Sequence, residues 1–87
     1  MSNPELIEYP CDFPIKVMGA TRDDFAQTIV EVVQGHAPDF NVAAVEMRAS
    51  SGGKYISLTC TVRATSREQL DNIYRALTSH PYVKVVL

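Results

Sequence analysis

Two histidines, two cysteines and one glycine turn are where this chain's chemistry would begin. His36 and His80 are the residue type that exchanges protons near neutrality or ligates metals. Each follows a helical pattern and lies close to a proline, Pro38 and Pro81, where an imidazole serves a helix end. No third ligand accompanies either, so neither a metal site nor a cofactor is expected. Cys60 alternates with apolar neighbours in "ISLTCTV" and reads as a small core residue; Cys11 precedes the first strand. Their spacing is not a metal pattern, and both are expected to be free thiols. In "MGATRDDF", Gly19, Ala20, Thr21 and Arg22 form a strand-to-helix turn. A glycine beside free helix amides can hold a small carboxylate, so these four are the candidate ligand residues. No GxxxxGK, GxGxxG, GxSxG or HExxH occurs, and catalysis is not expected.

The elements that position these residues follow from periodicity. "FPIKVMG" alternates as a first strand. A helix follows, with Thr21 as its cap and Asp24 in the capping-box position. Its core positions are Phe25, Ile29, Val32 and His36, with Val33 beside them. "FNVAAVEMRA" reads as the second strand and "KYISLTCTVRA" as the third, joined by the "SSGG" hairpin. In the third strand Ile56, Leu58, Cys60, Val62 and Ala64 face the core, and Tyr55, Ser57, Thr59, Thr61 and Arg63 face away. Ser66 caps the second helix, with Gln69 in the capping-box position and Leu70, Ile73, Tyr74 and Leu77 as its stripe. The last strand should bury Val83, Val85 and Leu87.

Strand, helix, strand, strand, helix, strand is the split βαβ arrangement, an α+β ferredoxin-like βαββαβ two-layer sandwich. Its four-stranded antiparallel sheet has the order 4-1-3-2. Residues 1–12 read as an extended lead-in and 13–87 as one domain. The outer edge of the last strand is unpaired, with Lys84 its one charge, and invites strand addition by a second copy or another protein.

Charge separates by layer. Outward strand positions carry Lys16, Arg48, Arg63 and Lys84 against Glu46, and the helices carry more acids than bases. These four cations are the candidate partner-binding face. With eight basic and ten acidic residues the chain does not read as a nucleic-acid binder, and few aromatics stand where bases would stack. No apolar run has the length of a membrane span, and the start lacks the pattern of a secretory signal, so a cytoplasmic location is expected.

"FPIKVMG", "VEVVQGHAP", "SSGGKY" and the terminal "VKVVL", in this order and spacing, resemble the YbeD-like family of small bacterial proteins. That family is similar in fold to ACT-type regulatory domains, whose amino-acid effectors sit where strand one turns into helix one. The resemblance implies a ferredoxin-like fold and a cytosolic bacterial protein. It points to a non-enzymatic regulatory or interaction module with a small carboxylate, an amino acid or a protein as partner. The alternatives are a small enzyme with a composite site at a dimer interface and a nucleic-acid adaptor using the basic face.

Overall fold

A computed structural model describes residues 8–87. The elements are β1 (Cys11–Ala20), α1 (Phe25–His36), β2 (Glu46–Ala49), β3 (Tyr55–Ala64), α2 (Arg67–Thr78) and β4 (Val83–Val86). The strands form one antiparallel sheet ordered β2-β3-β1-β4, the expected order read from the other edge. Both helices cover one face. Between them and the sheet lie Ile15, Val17, Phe25, Ile29, Val33, Leu58, Cys60, Val62, Ile73 and Leu77, all fully buried.

Several sequence expectations shift. β1 begins at Cys11, so this cysteine is the strand's first residue, half-buried, and not part of a lead-in. Asp12 of the proposed lead-in also belongs to β1, residues 8–10 precede the strand, and residues 1–7 lie outside the described residues. Helix α1 starts at Phe25 with Asp24 in the cap position and no side-chain cap bond. Thr21 does not cap it. Its hydroxyl instead donates to the carbonyl of Gly53 at 2.7 Å, tying the turn to the β2–β3 hairpin. Val32 is half-buried, and His36 is exposed beyond the reach of the core. The second strand is shorter than expected. Residues Val42–Ala44 form a 3₁₀ turn because the Asn41 side chain accepts the Ala43 N–H and closes the backbone locally.

Helix α2 follows its pattern. Ser66 accepts the Gln69 N–H, and Leu70, Ile73 and Leu77 are buried. Gln69 does more than cap: its amide donates to the His36 carbonyl at 2.9 Å and ties the start of α2 to the end of α1. His80 lies beyond α2, where its Nδ1 accepts the Tyr82 N–H at 3.1 Å. The hairpin glycines Gly52 and Gly53 have φ of 87° and 72°, the positive values that "SSGG" suggests.

The largest correction concerns β4. Val17 pairs with Val86 and Met18 with Val85, but Gly19 pairs with Val83, so a bulge interrupts the ladder. One extra residue resets the alternation. Val83 and Val86 therefore turn toward the helices. Val85 is 43% exposed and Leu87 67% exposed, on the opposite face.

Candidate functional site

The turn at Gly19–Arg22 sits where β1, the β2–β3 hairpin and the α2–β4 connection meet. Gly19 is buried, and a Cβ on it would meet the Tyr82 carbonyl oxygen and the Phe25 ring. Its missing side chain therefore lets protein pack against protein. Ala20 ends the ladder opposite Tyr55, and the Thr21 N–H donates to the Lys54 carbonyl at 3.1 Å. Arg22 is held by Asp24 at 3.2 Å and lies 4.1 Å from the centroid of the Tyr82 ring. The Tyr82 hydroxyl donates to the other oxygen of Asp24 at 3.0 Å. That bond, with help from Arg22, holds the Asp24 carboxyl below its ordinary value. The hydroxyl and amide of Thr21 and the Nε–H of Arg22 are thus directed at neighbours within the fold.

The second candidate, the basic face, resolves into two unlike parts. Arg63 lies opposite Asp12 across the β1–β3 ladder, and the two form an ion pair at 3.6 Å. Lys84 falls at the bulge, exposed at the sheet edge. Lys16 and Arg48 remain on the open face, and among the described residues neither joins an ion pair, nor does Glu46. Residues directly opposite on antiparallel strands share a face. One row across the sheet is therefore Leu87, Lys16, Thr59 and Glu46, because Lys16 and Leu87 exchange backbone bonds at 3.1 and 2.8 Å. The next row is Val85, Met18, Ser57 and Arg48. The open face is apolar at its β4 side and charged at its β2 side.

Two adjoining hollows, about 180 and 250 Å³, lie on the charged half and share Lys16, Arg48 and Ser57. They fall short of the roughly 300–1,000 Å³ that small-molecule sites occupy. A side chain presented by a larger partner suits them better. On the helix side, an apolar groove of about 420 Å³ runs between α1 and β2, lined by Ala26, Val30, Val42, Val45 and Met47. Cys60, by contrast, is sealed in the core, and burial pushes its thiol up to about 11, away from the range of a reactive thiolate.

Sequence reasoning placed Lys16 and Arg48 together on one face and missed their apolar neighbours Val85 and Leu87. No local signal marks the bulge. The hydroxyls of Ser57 and Thr59 were legible as outward, but their place between two cations depends on the β2–β3 and β1–β3 registers.

Comparison with known proteins bears on the family and the fold. A family described as "Protein of unknown function (DUF493)" matches residues 4–87. UPF0250 protein RSc0326 of Ralstonia nicotianae is 68% identical over 82 residues, 94% of this chain and 84% of that protein. UPF0250 protein NE1487 of Nitrosomonas europaea is 52% identical over the whole of both chains. The solution structure of protein HP0495 from H. pylori superposes with a TM-score of 0.71 at 17% identity, covering 93% of this chain and 85% of that one, which is a likeness of fold. The YbeD-like resemblance and these matches describe one family, and the chain belongs to it: the DUF493, or UPF0250, family.

Proposed function

We propose that this chain is a non-enzymatic interaction module whose open sheet face receives an acidic segment of a partner protein. One observation carries the reading. Lys16 and Arg48 flank Ser57 and Thr59 without an ion pair among the described residues, beside the exposed apolar Val85 and Leu87. Three arginines pair with carboxylates, Arg22 with Asp24, Arg63 with Asp12 and Arg67 with Asp71; among the described residues Lys54, Arg75 and Lys84 also lack an ion pair, but only Lys16 and Arg48 share the two hollows of the open face. Cations left free beside apolar surface match a partner carrying both carboxylates and apolar groups.

A photo-cross-linking residue in place of Thr61 on the open face, or of Gln34 on α1, tests this in cells. The expected result is a protein adduct from position 61 alone, lost when Lys16→Glu and Arg48→Glu are combined. No adduct from position 61, or adducts indifferent to the two reversals, would overturn the reading.

A second reading, pairing of two copies through β4, is favoured by its edge. Leu87 and Val85 bond toward β1, so the N–H and C=O of Val86 point outward. Protection of the Val86 amide from exchange that rises with protein concentration would support it. Free exchange at every concentration would exclude it.

A further inference from the structure

Resting on the reading of the open face as a docking surface, we infer that its occupant is an amphipathic helix of the partner. Its apolar stripe covers Met18, Val85 and Leu87, and an acidic flank lies over Ser57 and Thr59, within reach of Lys16 and Arg48. Backbone hydrogen bonds select the conformation of the occupant. An extended segment laid on the face would press its amides and carbonyls against Met18, Val85 and Leu87, which offer them no partner. An extended segment added to the β4 edge would satisfy its backbone. It would then lie four strand positions from Arg48, about 19 Å away at about 4.8 Å per strand, and leave that cation unused. A helix satisfies its backbone internally and can rest on an apolar sheet face, as α1 and α2 do on the other side.

The dimensions agree. The two rows of the face are two residues apart along each strand, about 6.6 Å, close to the 5.4 Å pitch of a helix. A helix aligned with the strands therefore sets about one turn over each row. With side chains it is about 10–12 Å wide. Centred on β1 and β4, it covers the apolar half and brings one flank over β3. Successive residues lie about 100° apart around a helix, so an apolar stripe at i, i+4 and i+7 is flanked by positions i+1, i+5 and i+8. Carboxylates there meet Lys16 in one row and Arg48 in the other, and the shallow hollows between them hold one side chain each. The charges are complementary, because Glu46 is the one acid in these two rows.

Three designed peptides of equal length test this against the isotope-labelled protein by amide shifts. The first carries leucines at i, i+4 and i+7 and glutamates at i+1, i+5 and i+8. The second keeps the leucines and moves the glutamates to the opposite side of the helix. The third has the first peptide's spacing with a central helix-breaking proline. The first is expected to shift residues 16, 18, 48, 57, 59, 85 and 87, and to bind about tenfold tighter than the second or third. Lys16→Glu with Arg48→Glu should abolish that binding, and a lysine-flanked version of the first peptide should restore it. Equal binding of the third peptide would overturn the helix and leave acidic docking intact. No shift on the open face with any peptide would overturn the helix as well, and the cross-linking at position 61 then decides separately whether the face docks a protein at all.

Discussion

Replacing Gly19 by alanine should destabilise the fold through one added methyl group. Gly19 faces the helix side, paired with Ile56 on one strand and Val83 on the other. A Cβ there would overlap the Tyr82 carbonyl oxygen and lie 2.6 Å from Cε1 and 3.2 Å from Cζ of Phe25. Neither neighbour can yield easily. The Phe25 ring is fully buried, and the carbonyl belongs to the connection between α2 and β4. The methyl must push that connection away from the sheet. Overpacking of this kind costs about 1–3 kcal/mol. Reduced freedom of the unfolded chain works the other way by about 0.4–1 kcal/mol. At a net cost of about 1.3 kcal/mol, the melting midpoint of a domain this size falls by about 5–10 °C. Gly35→Ala is the control: it lies in α1, where an added Cβ would meet nothing within 4 Å, and should raise stability by up to about 1 kcal/mol. Thermal and urea unfolding followed by circular dichroism measure both. If Gly19→Ala melts with the parent protein, or rises as Gly35→Ala does, the close-approach argument is wrong. Combining Gly19→Ala with Phe25→Leu should cost less than the sum of the two, since the smaller side chain vacates part of the contested space.

Three further outcomes are expected. Leu87→Ser should change stability by less than about 0.5 kcal/mol, whereas Val86→Ala should cost about 1 kcal/mol, because the bulge turns Val86 inward and leaves Leu87 exposed; the reverse order in urea unfolding would refute the assignment of faces. Native protein should present Cys11 to a thiol reagent and withhold Cys60 until denaturant is added. Because the Cys60 thiol ionises at 9.0 when unperturbed and at about 11 in the fold, its contribution favours the folded state less as pH rises through that window. Urea midpoints should therefore fall between pH 9 and 11, and fall less in Cys60→Ala; equal slopes would remove the cause assigned. Tyr82→Phe should let the Asp24 carboxyl titrate closer to its ordinary value, since the lost hydroxyl is the largest influence holding it down; an unchanged titration by NMR would contradict the hydrogen bond.

Regular alternation and helical spacing, both local quantities, carried much of the architecture. β3 shows this best: from Leu58 to Ala64 the even positions are buried and the odd ones more exposed, as parity says, while Ser57 on the open face is itself buried at 8% exposure. The order of elements and right-handed crossovers then left one economical sheet order, 4-1-3-2, which the structure has. Ser66 and the "SSGG" hairpin were equally legible, because a cap and a tight turn need only neighbours in sequence. Thr21 was not, because the carbonyl of Gly53 competes for its hydroxyl from 32 residues away.

The site divides on the same line. That Lys16 points outward follows from strand parity, whereas Arg48 joins its face through the β2–β3 register, since Val42 and Val45 have opposite parity and leave the face of the second strand open. That Arg63 is neutralised by Asp12, that Glu46 stands across from Thr59, and that Val85 and Leu87 join the open face depend on register. A single bulge beside Gly19 moves every later residue of β4 to the other side of the sheet, at a point where Gly19 lies close to Tyr82 and Phe25. The sequence by itself determined which segments become strands and helices, since those preferences reside in neighbouring residues. Only the tertiary structure decided which side chains share the open face, because that depends on contacts between residues far apart in the chain.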